Sequence, residues 1–178
     1  MQINEIVNRH FEKRGKLSEN VINCRYLTTI KGAVMNELEE KTMQRNAPNA
    51  FMHHNFIKLV SVERDRAVFG LTIRPESKNP YGLIHGGAIY TMADNATGTA
   101  AFTDGRYYVT QTSALHFLRN VSEGEVFATA TVRHRGKATC LTSVDITSES
   151  GKLLATGEFT FFCVDKAIMD QKVRKSGD

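Results

Sequence analysis

Three features of this 178-residue chain predict an α+β domain in which an antiparallel sheet wraps around one long central helix. From residue 56 onward, apolar residues recur with a period of two in six short stretches bounded by polar or glycine-containing turns. Between the second and third stretch lies a run of small apolar residues, 86–102, that is too long for a strand and carries only Asp94 as a charge. The turns joining the later stretches are short, which suits antiparallel neighbours rather than βαβ crossovers. A helix this apolar needs cover on most of its faces, and only the sheet is large enough to supply it.

The first 45 or so residues have helical periodicity. Ile3, Ile6, Val7, His10 and Phe11 form one stripe, and Gly15 interrupts it. Ser18 or Asn20 caps a longer helix whose stripe runs Val21, Cys24, Leu27, Ile30, Val34 and Leu38, with Glu37, Glu39, Glu40 and Lys41 opposite. That stripe packs onto the main domain or across a dimer. Asn46-Ala47-Pro48-Asn49 reads as a linker, separating an N-terminal helical extension (1–48) from a domain at 49–165. Strands are expected at 56–62 and 67–73, joined by the charged turn Glu63-Arg64-Asp65-Arg66. A loop, 74–84, leads into the helix at 86–102, which Asp104-Gly105 ends. Four further strands, 107–118, 126–135, 139–147 and 153–164, form a meander turning at Glu123-Gly124, Arg135-Gly136-Lys137 and Glu149-Ser150-Gly151. In the last strand Leu153, Ala155, Gly157, Phe159 and Phe161 share one face. The tail, 166–178, is polar and basic and is expected to fray.

Composition narrows the function. A formal net charge of +4 suits an anionic small molecule as well as plain solubility, and no basic recognition helix or aromatic–basic repeat points to nucleic acid. Cys24, Cys140 and Cys163 are odd in number and form no CxxC pair, so a reducing cytoplasm is the expected setting, with Cys140 and Cys163 in the core. The N-terminus lacks a basic region followed by an apolar run, and no apolar span approaches the ~20 residues of a membrane helix. The chain reads as soluble and cytoplasmic, with no membrane partner.

The segment from Asn79 to Asp94 carries the chemistry. His85-Gly86-Gly87 opens the long helix and leaves backbone N–H groups free for a developing negative charge. Gly86 and Gly87 have no side chain to block a close approach. Asp94 then interrupts an apolar segment, where a carboxylate is costly without a task or a partner. An anion hole paired with such an acid points to hydrolysis at a carbonyl. There is no GxSxG elbow, P-loop or dinucleotide fingerprint. His53-His54, read as loop residues, and His85 lack metal-ligand spacing with an acidic partner, so no metal is expected.

Asn79, then His85-Gly86-Gly87, then Asp94 nine residues after the histidine, together with Val109-Thr110-Gln111 leading to Phe117-Leu118-Arg119, resembles the hotdog-fold thioesterases. More narrowly it resembles their PaaI-like acyl-CoA thioesterase branch. The resemblance covers residues 51–164, and Asn120 stands where that family usually has proline. It implies a hotdog fold and hydrolysis of an acyl-CoA thioester, with coenzyme A as part of the substrate and no separate cofactor. It further implies that the Gly86 N–H binds the thioester oxygen with Asn79 assisting, and that His85 supports the loop or the carbonyl. Asp94 acts as general base or nucleophile, and Thr110 orients the attacking water. Asn95 and Thr97 flank Asp94 and are weaker candidates for tuning it. Arg119, Arg133, Arg135 and Lys137 are candidates for the coenzyme A phosphates. Eight residues of helix separate Gly86 from Asp94 by ~12 Å, too far for both to serve one carbonyl. A two-fold assembly with antiparallel central helices solves this, so a homodimer or homotetramer with shared sites is expected. An acyl-CoA-sensing module and a hotdog hydratase or dehydratase are the alternatives.

Overall fold

The computed structural model describes residues 36–165. The readings placed on residues 1–35 and on the tail from residue 166 lie outside the described residues. Six strands follow in the expected order: β1 (Ile57–Glu63), β2 (Arg66–Thr72), β3 (Tyr107–Phe117), β4 (Glu125–Arg135), β5 (Thr139–Ser148) and β6 (Leu153–Val164). The helices are α1 (Glu37–Asn46), α2 (Ala50–His54) and α3 (Gly86–Phe102), and Pro75–Ser77 adds one 3-10 turn.

All pairings are antiparallel, and the sheet order is β1-β2-β4-β5-β6-β3. This corrects the expected four-strand meander. Of those four strands only β4, β5 and β6 are consecutive neighbours, while β3 crosses to the far edge and pairs with β6. The connection between β3 and β4 spans residues 118–124, whereas the β4–β5 and β5–β6 turns have only three and four residues. The longer connection lets β4 join β2 instead of β3.

α3 packs against every one of the six strands. Ala88, Ile89, Met92, Ala93, Ala96, Ala100 and Ala101 on it are buried, so strands approach it from several directions. Each fully buried Ile or Met side chain contributes roughly 1.5–3 kcal/mol, and the alanines keep the sheet close. Phe69, Phe127 and Phe159 are the largest fully buried side chains of the sheet. Along β6, Ala155, Gly157, Phe159 and Phe161 are buried while Glu158 and Phe162 are exposed, the expected alternation, but at the strand's start, where the pairing with β5 shifts register, Leu154 is buried and Leu153 only half-buried.

The N-terminal stripe needs a second correction. Asn36 has extended backbone and caps α1, exchanging side-chain and backbone bonds with Glu39 in a capping box. Leu38 therefore belongs to a helix that starts at Glu37, and the rest of the expected stripe lies outside the described residues. α1 packs on β1, with Thr42 buried and Leu38 against the core. His53 and His54 stand on the short helix α2 rather than in a loop. Both are exposed, and His53 Nε2 lies 3.1 Å from the Ala47 carbonyl oxygen.

The C-terminal end of α3 is closed by an ion network. Arg135 donates to the Ala100 and Ala101 carbonyls, to the Tyr108 hydroxyl and to Asp65, and its Nη1 is 2.8 Å from Asp104. These bonds satisfy helix carbonyls that have no partner within the helix and place a cation at the negative end of its dipole. Burial works to raise the Asp104 carboxyl. The N–H groups of Arg106, the Tyr108 hydroxyl and the Arg135 charge outweigh it and hold Asp104 below the usual carboxylate range. Burial and the Asp104 hydrogen bond push the Tyr108 phenol up to about 12.

Asp104→Asn is expected to lower the unfolding free energy by about 3 kcal/mol near neutrality, read by urea titration. Because the folded carboxyl titrates below its unfolded value near ~4, the stabilisation is full above that value. It disappears as pH falls through the lower folded value, so acidification narrows the gap between wild type and variant. A second site is steric. A Cβ at Gly157 would collide with the Ala114 carbonyl oxygen and stand 2.9 Å from Leu115 Cδ1. Gly157→Ala is expected to detach β3 from β6 and leave the protein insoluble or several degrees less heat-stable, measured by expression and thermal melting.

Candidate active site

Asn79 organises the loop that leads into α3. Its Oδ1 accepts from the Tyr81 and Leu83 N–H groups, and its backbone pairs with Leu83 and Gly82. The bonds His85 N–H to Ser77 O and Ile84 N–H to Val121 O then pin the loop's exit. Asn120, at the position where proline was expected, donates from Nδ2 to the Ile84 carbonyl and so braces the same loop. The side-chain oxygen of Asn79 is thus committed to the loop, and its Nδ2 has no acceptor among the described residues.

His85 is the N-cap of α3, with extended backbone, and its Nδ1 accepts the Gly87 N–H at 2.8 Å. A neutral imidazole that accepts at Nδ1 carries its proton on Nε2, as a donor. The Gly86 N–H has no acceptor among the described residues, at the positive end of the helix dipole. A Cβ at Gly87 would sit 2.9 Å from His85 Nδ1, whereas one at Gly86 would meet only the Phe117 ring at 3.6 Å. Gly87 therefore serves the cap, and nothing in the described fold requires Gly86 to lack a side chain.

Two turns along the helix, Asp94 is half-buried and its Oδ1 accepts the Thr110 hydroxyl at 2.8 Å. Thr110 stands at a bulge of β3, where the register slips between Thr110 and Thr112 and Gln111 is the extra residue. A bulge re-aims side chains locally. Helix and strand run side by side over this whole length. Gly86 lies against Phe117, the Tyr90 hydroxyl bonds Ser113, Asp94 bonds Thr110, and Phe102 meets Tyr107 ring to ring. Asn95 bonds Asn49 at 2.9 Å and the Thr91 carbonyl, and Thr97 bonds back to Ala93 O. Those bonds hold both residues beside Asp94.

The basic residues do not gather. Arg119 is exposed and donates to Leu153 O, where β6 begins, while the turn holding Lys137 adjoins Cys163 near its end. Ten strand residues, ~33 Å, lie between those two places. Arg133 is exposed and bonds Ser143. Arg135 is corrected from phosphate candidate to helix-closing residue. Its Nη groups all meet acceptors inside the fold, and Asp65 and Tyr108 hold its pKa above the ordinary value against the effect of burial. Among the described residues, no group of three His, Cys, Asp or Glu side chains is placed to hold a metal. No helix among them is long and apolar enough to cross a membrane.

Sequence reasoning missed Arg45 and Asn49, which join Asp94 and Thr110 in lining one cavity. Asn49 carries a detectable signal, a cap for α2 through the Met52 N–H. Arg45 carries none, since a basic residue at the end of a polar helix is ordinary.

Residues 81–155 match the family model described as the thioesterase superfamily. The acyl-coenzyme A thioesterase PaaI of Escherichia coli (strain K12) is 31% identical over 100 residues, covering 56% of this chain and 71% of that protein. The 1,4-dihydroxy-2-naphthoyl-CoA hydrolase of Listeria monocytogenes is 33% identical over 108 residues, covering 58% of this chain and 87% of that protein. Among solved structures, the E. coli PaaI protein superimposes with a TM-score of 0.69 at 25% identity, over 72% of this chain and 94% of that one. Gly87→Ala is expected to push the imidazole of His85 off its cap. The imidazole nitrogen shifts at about pH 8, where an ordinary histidine is neutral, then change from a single Nε2–H tautomer to a mixture.

Proposed function

The chain belongs to the thioesterase superfamily, as a thioester hydrolase of the PaaI-like branch, and from that premise we propose a shared-site mechanism for hydrolysis of an acyl-CoA thioester. The observation that carries it is the Thr110–Asp94 bond, set eight helix residues from an open Gly86 N–H. Those two halves are ~12 Å apart along α3 and serve one carbonyl only when two copies of α3 lie antiparallel.

Strand β3 favours that assembly. It is eleven residues long, pairs among the described residues only with β6, and exposes Val109 and Phe117. A long, partly apolar free edge is usually covered, and a second copy of β3 covers it by antiparallel pairing. The central helices are then brought side by side in opposite directions. Homodimer or homotetramer both satisfy this geometry.

In the proposed reaction the thioester oxygen binds the Gly86 N–H of one subunit, with the Asn79 Nδ2 and the His85 Nε2–H as further donors near that helix end. Asp94 of the other subunit takes a proton from water. Thr110 donates its only proton to Asp94, so its oxygen lone pairs are left to accept from that water and orient it. The water oxygen attacks the carbonyl carbon, and negative charge builds at the oxygen held by Gly86. Collapse breaks the carbon–sulfur bond, and the proton on Asp94 passes to the leaving sulfur, giving a carboxylic acid and free coenzyme A. Gly87 positions His85, and exposed Arg119, Arg133 and Lys137 are the proposed contacts for the coenzyme A phosphates, from separate places on the surface. No cofactor is used beyond the substrate's own coenzyme A, and no metal takes part.

Asp94→Asn is expected to reduce kcat by at least ~100-fold and Thr110→Val by ~10-fold, in an assay of thiol release from acyl-CoA. Single turnover in ¹⁸O-water separates the roles of Asp94, since a nucleophilic carboxylate acquires the label and a general base does not. Gly86→Val and Asp94→Asn, each inactive alone, are expected to regain about a quarter of the activity when mixed as heterodimers, because random pairing gives half heterodimers with one intact site in two. Absence of any recovery in verified heterodimers contradicts the shared site.

A further inference from the structure

Arg45 lies in the last turn of α1, outside the residues that match the family model, so membership of the family gives it no role. Its guanidinium lies over the Phe102 ring, 4.5 Å from the centroid. It lines a cavity of about 270 Å³ together with Asp94 and Thr110. None of its N–H groups meets an acceptor among the described residues. Burial draws its pKa down, while Tyr107 and Asp94 partly oppose that. A desolvated cation with five unspent donors is costly to maintain.

The same wall holds two more unspent polar groups. Asn46 Nδ2 and Thr99 Oγ1 are buried without a partner, and both residues line the cavity. Those two atoms have almost no accessible surface, so the donor group open to a ligand is the Arg45 guanidinium, while Asp94 accepts from Thr110 through Oδ1 alone. What fits that guanidinium is an oxygen acceptor. The volume, just under the ~300–1,000 Å³ of ordinary ligand pockets, suits a short or monocyclic acyl group rather than a long chain.

We propose that Arg45 determines substrate specificity by binding an oxygen acceptor, a carboxylate or a hydroxyl, that the acyl group carries beyond its thioester carbonyl. The inference rests on the reading of Asp94 as the group that meets the thioester carbon. The planar fork of the guanidinium suits such an oxygen, and its seat over the Phe102 ring anchors it at the cavity wall. An acyl group lacking the acceptor leaves the guanidinium half-buried and unpaired, so discrimination falls on substrates that are otherwise the same size.

Two matched pairs test this, glutaryl-CoA with valeryl-CoA and 4-hydroxybenzoyl-CoA with benzoyl-CoA, with kcat/KM from thiol release for wild type, Arg45→Met and Arg45→Lys. Wild type is expected to prefer the oxygen-bearing member of one pair by ~10-fold or more, and Arg45→Met to bring that pair within about threefold. The loss falls on the oxygen-bearing member, and turnover of its apolar partner shows that the variant is folded. The responding pair tells carboxylate from hydroxyl, and Arg45→Lys retains part of the preference. Equal turnover within both pairs by wild type overturns the role of Arg45. So does an equal loss on both members in Arg45→Met, and that outcome assigns Arg45 to packing or to support of Asp94. A wild type that releases coenzyme A from none of the four overturns the hydrolytic reading of the cavity as well.

Discussion

Helix α3 has seventeen residues, and Ala88, Ile89, Met92, Ala93, Ala96, Ala100 and Ala101 on it have almost no exposed surface. Covering that much apolar surface with a single six-stranded sheet requires the sheet to curl, and every strand meets the helix. The remaining features answer to that requirement. Alanines let strands come close, Thr91 and Thr97 return their hydroxyls to helix carbonyls, and Arg135 neutralises the end where the carbonyls run out. The other end is capped by a histidine and two glycines that leave one N–H open. A helix buried on most sides has few places for a polar group, and Gly86 and Asp94 occupy two of them.

The side of α3 that β3 follows carries Gly86, Tyr90 and Asp94. Pairing of β3 with β6 places Gly157 opposite Leu115, where β3 backbone passes so close that only glycine fits. Further along the same pair, the bulge after Thr110 presents a hydroxyl to Asp94. Backbone packing and site geometry are thus one problem here. A shift of β3 by one residue turns Thr110 to the other face and breaks its bond to the carboxylate.

Much of the fold was legible because it is periodic. The expected limits of the long helix, 86–102, and of the last strand, 153–164, coincide with α3 and β6, and β1 to β5 differ from expectation by a residue or so at their ends. Pairing order was less legible. Strand 107–118 was read into a meander with 126–135, yet β3 pairs with β6, since local turn signals say nothing about which edge a strand reaches through a longer connection. The site divided in the same way. Asp94 was named as an acid in an apolar segment and Thr110, sixteen residues on, from a resemblance, and the fold brings them to 2.8 Å. Arg135 was read as a candidate phosphate contact and is instead tied to Asp65, Asp104 and two helix carbonyls. Arg45, which no motif marks, lines the cavity beside Asp94.

The sequence by itself determined the elements, the burial of α3 and the segment from Asn79 to Asp94 that opens and interrupts it. These depend on residue type and spacing within about twenty positions, the range over which periodicity, capping and turn chemistry act. Only the tertiary structure decided that β3 lies at the sheet edge, that Gly157 has no room for a methyl group, and that Arg45 and Arg135, both basic and both at the ends of their elements, differ in their bonds. The reason is physical. A long side chain reaches several ångströms in any direction, and whether it finds a carboxylate, a helix end or an empty cavity depends on segments far away in the chain.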